Sequence, residues 1–332
     1  MGQNVYLLDL HAILSLTVPQ PVTAREVQSG VDLTVRVGPL SLSNPVIAAS
    51  GTFGYGVEFA HLVDLNALGG IVVKGLSAKP MAGAPAPRMC ETASGMVNAI
   101  GLQNIGVRAF VADKLPALES YRTAIIANVF GNTVSDYLEV IRVLEDAEGI
   151  ASYELNVSCP NVQHGGLEFG VDPKQLEELV TAARLAAKRP LWVKLAPMVG
   201  TIRLIARITE GCGADALTIA NTYPALCIDA HTFRSRLGST TGGLSGAAIR
   251  PITVRLVYEA CQAVQIPVIG LGGITEPEDA MEYILAGATA VQVGTAHFVD
   301  PRASERLVTG LGQYCRSINA PRINDLRGGL QQ

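Results

Sequence analysis

The chain has 332 residues, of which 48% are hydrophobic and 16% charged, and it carries 34 glycines and a formal net charge of −4. That composition excludes a disordered or fibrous chain, and the absence of any basic run argues against a nucleic-acid partner. Six cysteines, at 90, 159, 212, 227, 261 and 315, form no Cys-x-x-Cys pair, so no zinc site or iron–sulfur cluster can be read in the chain. Scattered thiols suit a reducing compartment, which predicts a cytoplasmic location.

In chain order, residues 1–29 read as an N-terminal extension. Its apolar stretch is interrupted by Asp9 and His11 and preceded by no Lys or Arg. A secretory signal or a membrane span needs more, so a short surface helix or a frayed tail is expected and no membrane contact. VDLTVRVGPLSL (31–42) alternates like a short β-hairpin that would plug a barrel floor.

Eight apolar, β-rich runs follow: 46–51, 70–77, 124–131, 153–160, 191–197, 216–222, 267–273 and 290–296. Continuous apolar runs are the mark of parallel strands buried on both faces. Amphipathic segments such as 173–188 and 277–288 separate them, the segment after the second run being less regular. The pattern predicts a single α/β domain, a (β/α)8 TIM barrel over 30–317 with an insertion after strand 6 and a C-terminal tail over 318–332. Two connections, 77–122 and 223–245, are long enough to suggest a functional role.

Polar residues break the runs near the C-terminal ends of five different strands: Lys74, Asn128, Asn156, Lys194 and Asn221. Singly, each is as well read as a satisfied core polar group. Together, at strand ends that converge on one face of a barrel, they describe a polar, cationic pocket. Gly272-Gly273 and Gly294-Thr295 end the last two runs, where such barrels commonly bind phosphate, and GGLSG (242–246) adds backbone donors. A phosphorylated cofactor and a phosphorylated sugar both satisfy this much. Cys159 stands at the end of the fourth run, next to Pro160 and a glycine-rich loop, either as an inert thiol or as a general base or nucleophile.

The segments SNPVIAASGTFGYG (43–56), VVKG (72–75), NAIGLQN (98–104), ANVFG (127–131), NVSCPN (156–161), VKLAP (193–197), ANT (220–222), GGLSG (242–246), GLGGI (270–274) and AVQVGTAHF (290–298) resemble, in order and spacing, the class 1 dihydroorotate dehydrogenases. The resemblance covers the whole barrel. It implies one FMN per subunit, with Gly246, Gly272, Gly273, Gly294 and Thr295 at its phosphate and Ser50, Lys74, Gly75, Asn128, Asn156, Lys194 and Ala220 along the rest. Dihydroorotate would be read by Lys74, the segment Asn98, Ala99, Ile100, Gly101 and Leu102, and by Asn156, Asn221 and Thr222. Cys159 would take the C5 proton as hydride leaves C6, with Lys74 assisting, and no metal is implied.

The relatives of class 2, which attach to membranes, use serine as base, so Cys159 speaks for class 1. Gln103 and ANVFG look like the NAD-linked subgroup, class 1B. In that subgroup a homodimer of this subunit is the core of a heterotetramer whose partner subunit carries FAD and a [2Fe–2S] cluster. The fumarate-using class 1A, a dihydropyrimidine dehydrogenase-like flavoenzyme and a catalytically silent phosphate-binding barrel are the competing readings. Ala247 stands where many relatives have proline, and residues 1–29 extend beyond their usual start.

Overall fold

A computed structural model describes residues 30–157, 169–170, 172–197 and 200–331 of the chain. All eight apolar runs are strands: β1 (Val46–Ala48), β2 (Gly70–Val72), β3 (Ala124–Val129), β4 (Ser152–Asn156), β5 (Leu191–Leu195), β6 (Ala216–Ile219), β7 (Val268–Leu271) and β8 (Ala290–Val293). Each pairs in parallel with its neighbours in sequence, and β8 pairs with β1, so the sheet closes into the expected (β/α)8 barrel. Closure removes both sheet edges. It also explains why the runs are continuous rather than alternating, since one face meets the barrel interior and the other the surrounding helices.

The helices lie where the amphipathic segments predict. Pro173–Ala186 is capped by Asp172, whose carboxylate accepts from Lys174 N at 2.9 Å. Pro277–Leu285 opens with proline in its first turn and a reciprocal capping pair, Glu276 and Asp279. The irregular segment after β2 has a physical cause. Helical residues Val107–Ala109 and Leu115–Leu118 flank a π-helical turn, Phe110–Lys114. Pro116, which lacks an N–H and would crowd the carbonyl four residues back, lies just beyond that turn.

The hairpin Val35–Val37 and Leu40–Leu42 forms as expected. Its turn at Gly38 packs on Asp215, the residue before β6, so it closes the N-terminal end of the barrel. Residues 318–331 dock against the same end: Asp32 N donates to Pro321 O at 2.9 Å and Ile323 N to Asp32 O at 3.0 Å.

The two long connections are more ordered than their sequence suggests. Tyr223–Ala225, Gly242–Ser245, Gly95–Asn98 and Met89–Thr92 pair, in that order, as one antiparallel four-stranded sheet at the C-terminal mouth. No helix among the described residues is long and apolar enough to cross a membrane.

Candidate active site

A cleft of about 380 Å³ opens at the C-terminal ends of the strands, between the barrel mouth and the four-stranded sheet. This volume is within the roughly 300–1,000 Å³ usual for cofactor and small-molecule sites. Among the residues singled out from sequence, Ser50, Lys74, Gly75, Asn98, Ile100, Gly101, Leu102, Asn128, Asn156, Lys194, Ala220, Asn221, Thr222, Gly246, Gly272, Gly273, Gly294 and Thr295 all line it. Ala99 does not. Its side chain faces away, into a small cluster with Cys90, Val97 and Leu237, as strand alternation beside Asn98 requires. Cys159 lies outside the described residues.

The electrostatics of the cleft are cationic. Lys194, on β5, is only 6% exposed, and burial drives its ammonium below the ordinary lysine range, with Glu154 opposing. Lys74, just past β2, is lowered first by burial and then by repulsion from Lys194. Neither lysine forms a salt bridge among the described residues. Desolvated cations of this kind are costly to the fold and concentrate at sites that take anions.

The amides are positioned individually. Asn156 ends β4, and its Oδ1 accepts from Asn221 Nδ2 at 3.4 Å. Asn221 Oδ1 in turn accepts from Thr222 N at 2.8 Å, which fixes the bend after β6. Asn98 Nδ2 donates to Gly243 O at 3.3 Å across the four-stranded sheet. Asn128 Nδ2 donates to Glu154 Oε1 at 2.8 Å, and its Oδ1 is buried with no partner among the described residues.

The glycine rim after β7 is built by the helix that follows. Asp279 Oδ2 accepts from Thr275 N at 2.9 Å and from Thr275 Oγ1 at 2.7 Å, while its other oxygen pairs with Arg250. Tyr283 OH donates to Gly272 O at 2.6 Å from beneath. Gly273 has a φ of +67°, and a Cβ there would come within 2.7 Å of Gly246 O, so only glycine suits this turn. Across the rim, Gly294 and Gly51 border open space: a Cβ on Gly294 would meet nothing closer than 3.8 Å, and one on Gly51 nothing within 4 Å.

Sequence reasoning missed part of the lining. Met89, Ser94 and Gly95 enter through the sheet made by the two long connections, and Phe298 and Val299 edge the mouth past Thr295. It also missed the polar group under the cleft, in which Thr218 Oγ1 and Gln292 Nε2 both donate to Glu154 Oε2, at 2.8 and 2.5 Å. The available signal was Thr218 and Gln292, each the one polar residue of its strand, with Glu154 at the middle of β4.

Fold and cleft together define a (β/α)8-barrel enzyme with a cationic, glycine-edged ligand site. The sequence model of dihydroorotate dehydrogenases matches residues 32–314. A Solibacter usitatus protein, provisionally named dihydroorotate dehydrogenase A (fumarate), is 58% identical over 299 residues, 90% of this chain and 98% of its own length. The dihydroorotate dehydrogenase B (NAD(+)) catalytic subunits of Thermodesulfovibrio yellowstonii and Pelobacter propionicus are 51% and 48% identical over 300 residues, 90% of this chain and 99% of theirs. The chain belongs to the dihydroorotate dehydrogenase family, FMN-dependent oxidoreductases of pyrimidine biosynthesis that act on CH–CH bonds.

The residues present fit FMN. Two lysines without ion-pair partners among the described residues suit an anionic ligand and the negative charge of a reduced flavin, and the bare rim glycines leave room for a phosphate close to backbone. The Asn128 oxygen, unpaired among the described residues, suits an N–H donor of the ring.

Proposed function

We propose that this chain oxidises (S)-dihydroorotate to orotate in de novo pyrimidine biosynthesis, with one FMN in the cleft. The observation that carries the reading is the convergence, in one cleft, of two desolvated lysines, the glycine rim after β7 and β8, and an orphaned amide oxygen. Gly246, Gly272, Gly273, Gly294 and Thr295 would hold the phosphate. Ser50, Lys74, Gly75, Asn128, Asn156, Lys194 and Ala220 would hold the remainder. FMN, when bound, supplies the hydride acceptor.

The remaining chemistry belongs to the chain. Asn98, Asn156, Asn221, Thr222 and the Ile100–Leu102 backbone would bind the carboxylate and carbonyls of the substrate, and Lys74 would offset its charge. An ordered site of this kind fixes the reacting carbons against the cofactor and supplies much of the rate through positioning. Cys159 would remove the proton from C5, beside the carbonyl, and hold it on Sγ. Lys194 and Lys74 would favour the build-up of negative charge in the cleft without any rearrangement, because they are already desolvated there.

Cys159→Ala should retain FMN and slow its reduction by dihydroorotate about 10²–10⁴-fold, the range of a general base. A variant within twofold of wild type would remove Cys159 from that role.

For the electron acceptor, the reading is NAD through a partner subunit bearing FAD and a [2Fe–2S] cluster, on a homodimeric core. It is supported by the names of the Thermodesulfovibrio and Pelobacter relatives and by Gln103. Gln103 is a structural element of the mouth, its Oε1 accepting from Arg88 Nη1 at 2.5 Å while Arg88 Nε donates to Ala84 O at 2.6 Å. The name of the Solibacter relative favours fumarate instead. Purification from the native host separates the two. An iron–sulfur flavoprotein bound to this chain, with NAD reduction by the complex, supports the first; turnover with fumarate by the lone subunit supports the second.

A further inference from the structure

One buried carboxylate has no part in the chemistry above. Glu154 lies on β4, inside the barrel and beneath the cleft, with no exposed surface. Three donors converge on it: Asn128 from β3 on one oxygen, Thr218 from β6 and Gln292 from β8 on the other. Glu154, Thr218 and Gln292 come from alternate strands, the way such barrels build an interior layer. Those layers are ordinarily branched aliphatics, and apolar replacement of a buried charged group is often neutral or stabilising. Stability alone is therefore a poor account of this carboxylate.

What the arrangement does is orient. An ionised carboxylate accepts hydrogen bonds and donates none, so the Asn128 amide atom 2.8 Å from it must be the nitrogen. The Asn128 oxygen is thereby turned to the opposite side. There it is buried and, among the described residues, unpaired, next to the bare Cα of Gly75, where a Cβ would sit 2.9 Å from it. Asn128 and Gly75 both line the cleft. Without an acceptor-only partner below, the amide is free to turn over and present NH2 instead of oxygen. The same carboxylate supplies the negative charge that opposes the burial of Lys194.

We propose that Glu154 is a positioning residue: by holding the Asn128 nitrogen it keeps the Asn128 oxygen toward the cleft, as the acceptor for an N–H of the bound cofactor. The inference rests on the FMN reading, since a flavin ring carries such an imide N–H.

The test is a double-mutant cycle on FMN affinity. Apoproteins of wild type, Glu154→Gln, Asn128→Ala and the double variant are titrated with FMN, following flavin fluorescence, with apoprotein melting as the control for folding. The introduced glutamine is nearly isosteric with glutamate but able to donate, so it permits the Asn128 amide to reverse. Glu154→Gln should weaken FMN binding about tenfold or more when Asn128 is present, the size expected for a misdirected buried polar group. In the Asn128→Ala background the same change should cost about threefold or less. Equal losses in both backgrounds would overturn the proposal. If Glu154→Gln does not fold, Glu154→Asp, which keeps the charge but shortens the reach, serves the same cycle with the same two outcomes. A wild-type apoprotein that takes up no FMN would instead sink the cofactor reading itself, a result distinct from an additive cycle.

Discussion

Two glycines on opposite sides of the rim should respond in opposite ways to a single added methyl. At Gly273 the backbone is left-handed, with φ +67°, and a Cβ would press within 2.7 Å of Gly246 O and 2.8 Å of Arg250 Cβ. The left-handed conformation costs about 1–2 kcal/mol for a residue with a Cβ, and the overpacking about 1–3 kcal/mol more. Gly273→Ala should therefore lose about 2–5 kcal/mol, and for a domain of this size Tm should fall by about 4–10 °C. At Gly294 the nearest atoms to a new Cβ are Ala49 Cβ at 3.8 Å and Thr52 at 3.9 Å. That is ordinary contact, so Gly294→Ala should cost the apoprotein about 1 kcal/mol or less. Its methyl would nonetheless stand where the phosphate is assigned, and FMN affinity should drop about tenfold or more. Calorimetry of the apoproteins and FMN titration followed by fluorescence read both quantities separately. If the two variants melt alike, or if Gly294→Ala binds FMN as wild type does, the rim is not the cradle described above.

Other outcomes follow from buried groups. His297 is held between Phe53, at 4.8 Å between ring centroids, and Ser304 Oγ, 2.9 Å from its Nε2, and burial lowers its pKa from 6.5 to about 4. The unfolded chain then binds the proton first, so this contribution is present above pH 6.5 and is lost as pH falls through about 4. The gap, at about 1.36 kcal/mol per pH unit, is worth about 3 kcal/mol. Urea titrations between about pH 4 and 7 should show that slope and lose it in His297→Phe; an unchanged slope would mean another group is responsible. Lys194→Met removes the cost of a desolvated ammonium but also the cation that faces the buried Glu154 carboxylate, so the apoprotein should melt within about 5 °C of wild type while FMN content falls about tenfold or more. A Tm loss above about 5 °C would make Lys194 a structural residue. A Cβ on Gly243 would fall on the Thr222 hydroxyl, so Gly243→Ala should raise KM for dihydroorotate about tenfold with FMN content intact. Loss of FMN instead would place Thr222 with the cofactor.

The barrel was legible because its parallel strands need a continuous apolar pattern, and each predicted run contains a strand at its core. Lys74, Asn128, Asn156, Lys194 and Asn221 stood out because a polar residue at the end of such a run needs a reason. Glu154, Thr218 and Gln292 were not legible. Each sits mid-strand, where a sequence does not say whether a side chain points to the axis or to the helices, and only closure brings the three together. Likewise Ser94 and Gly95 became lining residues only because 223–245 folds back on 89–98 as one sheet, a long-range pairing with no local signal. The π-helical turn before Pro116 defeated periodicity for a local reason, the missing proline N–H.

The most direct measurement is the flavin spectrum of the purified protein under anaerobic conditions. The account predicts a yellow protein with one FMN per chain, whose visible absorbance bleaches when dihydroorotate is added and is unmoved by dihydrouracil. A flavin that dihydroorotate leaves oxidised, or a chain that binds no FMN, would contradict it.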